Sequence, residues 1–147
     1  MYKTIMTVHE KNVLYTFTAI RQGLFRFLKK ELEGSGIESI APSHGDILFV
    51  LDRRGPLSLQ DLARSTVKDK STVSSVVKKL EKSGYILKSR DPSDFRRTFI
   101  RLAPRAEELR EVLYGISDRM NKMLFRGFTE WEKRTLFRLL EKMSANL

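Results

Sequence analysis

The chain of 147 residues contains no cysteine. That absence excludes disulfides, a thiolate zinc site and a thiol redox switch. Histidine is nearly missing too, with only His9 and His44. A lone histidine without a nucleophile or carboxylate partner is weak ground for acid–base chemistry, and His44, close to a helix start, reads as a partly exposed residue. The carboxylates are scattered, the glycines form no phosphate-binding loop and no residues fall at metal-ligand spacing, so neither cofactor nor metal is expected. No stretch approaches the ~20 apolar residues that a membrane-spanning helix needs. The opening MYKTIMTVHEKN has polar residues where a secretory signal would carry its apolar run. These absences point to a cytoplasmic protein that is not an enzyme.

Positive charge is what the chain has in excess. The net charge is +10, and the segment from Arg53 to Arg105 holds 14 Lys and Arg against 5 Asp and Glu. The rest of the chain is nearly balanced, at 14 basic and 13 acidic residues. A patch so concentrated implies a polyanionic partner. Nucleic acid fits better than an anionic membrane, because turns interrupt the basic segment and no single long helix is both apolar and basic. A hydrophobic content of 41% with nine phenylalanines supports a core, and the length suits a single domain over 1–147.

Periodicity predicts a first helix over Val8–Glu33, with Leu14, Phe17, Leu24, Phe25 and Leu28 on an apolar surface wide enough for two neighbours. Gly34 and Gly36 end it. Ser43, with Asp46 three residues on, predicts the cap of a second helix that stops at Gly55-Pro56. Ser58 and Asp61 start a short third helix, and after a tight break Asp69 caps a fourth that ends at Gly84. YILKSR and TFIRL alternate as strands, and DPSDFR between them predicts a hairpin with a protruding loop. Pro104 opens a long helix with a stripe from Leu109 to Leu124, and Thr129 with Glu132 opens the last one. The class is mainly α with a small β-hairpin, and the two short helices have the outline of a helix-turn-helix.

The fourth helix carries the functional signal. On a helical wheel Val73, Val76, Val77 and Leu80 converge on one narrow face. Ser71, Ser75, Lys78 and Lys82 lie opposite, flanked by Thr72, Ser74 and Lys79. A merely solvated helix more often pairs Glu with Lys. Small hydroxyls instead allow close approach and offer donors and acceptors to base edges, while lysines suit phosphates. The hairpin loop adds Lys88, Arg90, Arg96 and Arg97, and arginine suits a narrow minor groove. With Ser58, Lys68, Lys70 and Asp94 these residues form the candidate DNA-binding set. Double-stranded DNA is the expected partner; a sequence-tolerant architectural protein would share the charge but not need the serine face.

The run STVSSVVKKLEKSGYI followed by RDPSDFRRTFIRL resembles the recognition helix and wing of the MarR family of transcriptional regulators. The resemblance implies a winged helix-turn-helix lobe over 42–103, with dimerisation helices in 1–36 and 104–147. It implies that the arginine at Arg96 enters the minor groove, that Asp94 orients the wing, and that Ser71, Thr72, Ser74, Ser75 and Lys78 face the major groove. A homodimer repressing from a palindromic operator, with a small aromatic or anionic effector, follows in the same way. Phe17, Phe25, Tyr15 and the methionines could line an effector space, although aromatics at helical spacing read more readily as core. Two departures stand out: Phe95 at the middle of the wing, and Ala103 where a capping hydroxyl is usual. The thiol-oxidation route used by part of the family has no cysteine here.

Overall fold

The computed structural model describes residues 12–37, 39–94 and 97–147. Helix α1 spans Val13–Gly34, and the Asn12 side chain caps it by accepting the Tyr15 N–H. Among the described residues the helix begins at Val13; the expected start at Val8 lies outside them. Gly36 has φ 71°, and the Ile37 N–H returns to the Leu32 carbonyl at 2.9 Å, closing the helix end.

Pro42–His44 form one 3-10 turn ahead of helix α2, Gly45–Arg54. Ser43 does not cap this helix. The His44 ring does a similar job one turn earlier, its Nδ1 accepting the Ala41 N–H at 3.2 Å. Proline at the start of the turn supplies a fixed φ and no N–H, which suits so tight a geometry. His44 is consequently only 7% exposed, not the partly exposed residue its position suggested.

After Gly55 (φ 75°) come strand β1 (Leu57–Ser58) and helix α3 (Leu59–Thr66). Helix α4 (Lys70–Lys82) and strands β2 (Ile86–Arg90) and β3 (Thr98–Leu102) follow. β2 and β3 are the expected hairpin. β1 was not expected: it adds antiparallel to the far side of β3, giving the order β1-β3-β2 with Leu57 opposite Ile100 and Ile86 opposite Leu102.

The long helix expected from Pro104 is two, α5 (Pro104–Glu108) and α6 (Arg110–Leu124), broken at Leu109. Ala106 and Ile116, on either side of the break, are both buried. Ala103 precedes α5 without a side-chain cap, as its missing hydroxyl requires. Helix α7 (Glu130–Ser144) begins with the expected capping box, Thr129 Oγ1 accepting the Glu132 N–H and Glu132 Oε2 accepting the Thr129 N–H.

One core joins α2, α3, α4 and the sheet: Ile47, Leu62, Val73, Val77, Leu80, Ile86 and Ile100 are all fully buried. Each such side chain contributes about 1.5–3 kcal/mol through its removal from water. This burial holds α4 helical, since its serines, threonine and valines are weak helix formers. The outer helices contrast with that lobe. No residue of α7 is buried, and the Phe137 ring lies 5.7 Å from that of Phe125 between centres. Among the described residues no helix is long and apolar enough to cross a membrane.

Candidate nucleic-acid interface

With Val73, Val76, Val77 and Leu80 turned into the core, the geometry of a helix forces the serine and lysine side of α4 outward. Ser71, Thr72, Ser75, Lys78 and Lys79 are exposed and Ser74 is half-buried. α3 and α4 meet across a turn of three residues, Val67 to Asp69, so the chain forms a helix-turn-helix with α4 as its second member.

Asp69 organises the first turn of α4. Its carboxylate accepts the Ser71 hydroxyl at 2.6 Å, the Thr72 N–H at 2.7 Å and the Thr72 hydroxyl at 2.6 Å. These bonds, Ser71's hydroxyl foremost, hold its carboxyl well below the ordinary carboxylate range, so the cap is ionised throughout the physiological pH range. Ser58 caps α3 in the same style, accepting the Asp61 N–H at 3.1 Å and donating to Asp61 Oδ2 at 2.6 Å. Lys70 is exposed at the start of α4.

The hairpin projects beside α4. Its turn is braced by Asp91, which accepts the Ser93 N–H at 2.8 Å and the Ser93 hydroxyl at 2.6 Å, and by the Arg97 N–H, which donates to the Asp94 carbonyl at 2.8 Å. Asp91 is held acidic mainly by the Ser93 hydroxyl. Arg90, Asp94 and Arg97 are exposed at this end of the hairpin. Arg96 and Phe95, both singled out from the sequence, lie outside the described residues.

Two of the candidate lysines are engaged within the protein. Lys88 donates to Glu81 at 2.6 Å, tying β2 to α4. Lys68, in the turn, is ion-paired with Asp46 on α2. Both pairs join different elements; Asp46 was expected only as a capping partner of Ser43, and Glu81 carried no signal in the sequence. Arg105 was also missed: its guanidinium donates to the Ser83 carbonyl at 2.7 Å at the end of α4 and lies 4.7 Å over the Tyr85 ring. That contact suits the negative end of a helix.

A cavity of about 600 Å³ is bounded by α1, α2, α5 and α6. Phe25, Met120 and Tyr114 contribute to its walls, whereas Tyr15 and Phe17 are exposed on α1 and belong neither to it nor to the core. On one side Asp52 accepts Arg110 Nε and the Tyr114 hydroxyl, each at 2.8 Å. That hydrogen bond to Asp52 is the main reason the Tyr114 phenol is pushed above its usual range. Arg21 of α1, stacked 4.7 Å over Phe25, is a further cation of the lining.

Known proteins with this arrangement are regulators of transcription. BilQ of Clostridium symbiosum, an HTH-type transcriptional regulator, is 27% identical over 136 residues, 91% of each chain. Three Bacillus subtilis regulators match over 60, 66 and 70% of their own lengths. S. aureus MepR, solved in complex with DNA, superposes with a TM-score of 0.83 at 26% identity, covering 92% of this chain and 98% of that one. BpsR of Bordetella bronchiseptica, whose DNA binding is regulated by 6-hydroxynicotinic acid, shares the fold at TM-score 0.80 and 24% identity, over 91% and 94% of the two chains. The MarR family model matches residues 40–98, from just before α2 to the first residue of β3. Over this lobe, residues 40–98, the chain matches the MarR family. It is a DNA-binding transcriptional regulator and not an enzyme, and its fold is the winged helix.

Proposed function

We propose that this chain is a cytoplasmic homodimeric repressor of the MarR family that reads a palindromic operator, with 42–103 as the reading lobe and 1–36 and 104–147 as the dimerisation helices. The observation that carries the reading is α4, whose apolar side is wholly consumed by the core while Ser71, Thr72, Ser74, Ser75, Lys78 and Lys79 remain outward. Such a helix delivers hydroxyls to base edges in the major groove and lysines to phosphates. Arg90 and Arg97, with Arg96 between strands β2 and β3, supply the second contact, in the minor groove. Lys70 and Ser58 stand at the helix starts, where phosphate contacts are common.

The dimer is supported by apolar groups that the single chain leaves uncovered. Leu14 is 75% exposed on α1 and Trp131 68% on α7, with Val13, Ile20, Leu139 and Met143 also open. Two copies joined through these helices would present two α4 helices about 34–36 Å apart, one turn of DNA. A dimer seated on a promoter blocks polymerase. The cavity supports release by a small aromatic anion: aromatic and aliphatic walls match a ring, and Arg21 supplies a cation. BpsR, with its 6-hydroxynicotinic acid, is a precedent of this chemistry in the same fold.

Selection from a random duplex library at physiological salt tests the reading. Enrichment of a palindrome with half-sites one turn apart is the expected result. Retention without any motif would establish the sequence-tolerant architectural reading instead.

A further inference from the structure

Among the described residues Val67 is the one non-glycine residue with positive φ, at 52° with ψ 41°. A β-branched residue is poorly suited to this left-handed region. Its side chain is 94% exposed, so no packing compensates for the conformation. The backbone of the α3–α4 turn is therefore held by something else. The next residue supplies it: Lys68 donates its N–H to the Ala63 carbonyl at 3.2 Å and sends its ammonium back to the Asp46 carboxylate on α2. Asp46 is itself fixed, its other oxygen accepting the Ile47 N–H at 2.9 Å. One residue further on, Asp69 caps α4. The ion pair thus fastens the turn that aims α4 to a helix of the rigid core.

We propose that the Asp46–Lys68 pair is a positioning lock for the recognition helix, and that Lys68 acts through Asp46 and not through a phosphate. This rests on the DNA-binding reading above and deepens it, because both side chains also line the 600 Å³ cavity. The lock stands between the cavity and the reading turn, where an occupant of the cavity would meet it. Strained backbone maintained by surrounding contacts is a common feature of such switch regions.

The sign of one substitution separates this role from plain electrostatics. Asp46→Asn removes a negative charge from a chain of net charge +10, which by charge alone should tighten DNA binding. The lock predicts the opposite. With the selected operator and fluorescence anisotropy at several salt concentrations, Asp46→Asn should bind about tenfold more weakly. Lys68→Met should lose a similar factor with its salt slope unchanged, and the double variant should be no weaker than the weaker single variant. An Asp46→Asn protein that binds as tightly as the parent or tighter overturns the proposal, as does multiplication of the two losses in the double variant. Should Asp46→Asn fail to fold in a thermal melt, Lys68→Met decides alone. A salt slope reduced by about one would make Lys68 a phosphate ligand, and an unchanged slope with weakened binding would keep the lock. A parent chain that selects no duplex would sink the DNA-reading function itself, a result distinct from either.

Discussion

Thr72 is held twice by Asp69, its N–H on Oδ1 at 2.7 Å and its hydroxyl on Oδ2 at 2.6 Å. With the Ser71 hydroxyl also donated to Asp69, both protons are spent inside the protein and the two oxygens face outward as acceptors. They can receive a hydrogen bond from cytosine N4 or adenine N6, but they have nothing to give a phosphate or guanine O6.

Asp69→Ala should therefore change both stability and reading. Loss of the N-cap should lower Tm by about 3 °C. In duplex selection the positions under Ser71 and Thr72 should favour bases that offer a major-groove donor with the parent, and lose that preference with the variant. Identical motifs from the two proteins would show that these oxygens do not read bases. Because the Asp69 carboxyl is depressed, its contribution is complete above about pH 4 and fades only below.

Val67 predicts a gain. Asparagine tolerates the left-handed region better than a β-branched residue, and a side chain 94% exposed gives up no packing. Val67→Asn should stabilise the fold by about 1 kcal/mol, a rise in Tm of about 2–4 °C. Calorimetry showing a lower Tm would mean that the turn is not strained. Operator affinity should hold, since Lys68 and Asp69 keep their partners.

His44 predicts a pH dependence. Burial first, then the nearby Lys79 charge, lowers its pKa below the ordinary histidine value, partly opposed by Asp46. The folded protein thus binds a proton less readily at this site than the unfolded chain. Stability from His44 is complete above the unfolded value of about 6.5 and is lost as pH falls towards the depressed folded value. The slope from one such group cannot exceed about 1.4 kcal/mol per pH unit. Urea titrations from pH 7.5 to 5.5 should show that decline, and His44→Asn should flatten it while offering Ala41 an acceptor oxygen. Parallel declines in parent and variant would place the effect elsewhere.

The helices and the outward serine and lysine face of α4 were legible because their causes are local. Caps at Ser58, Asp69 and Thr129 act within three residues, and the valine stripe of α4 repeats with the helix period. What escaped notice depends on distant partners. β1 is two residues long and exists only through Ile100 and Phe99. Leu109 interrupts a stripe whose period runs on regardless, so periodicity could not show the break. Asp46 reads as a capping residue and Glu81 as an ordinary surface acid until Lys68 and Lys88 arrive from other elements. Tyr15 and Phe17 have the spacing of core residues, yet they are exposed. Periodicity reports that a face must be covered, not which chain covers it.

That last point gives a prediction for Leu14. At 75% exposure it contributes almost nothing to the core of its own chain. A charge placed there should leave the folded protomer intact and act only on what covers α1. Leu14→Glu should shift the mass in solution from twice 17.1 kDa towards 17.1 kDa, as read by analytical ultracentrifugation. Each protomer would retain its α4 and wing, so binding to an isolated half-site should be unchanged. The full palindrome should lose at least tenfold, because the second half-site is no longer held at high effective concentration. A Leu14→Glu protein that stays dimeric and binds the palindrome like the parent would remove α1 from the dimer interface and leave α7, with Trp131 and Met143, to form it.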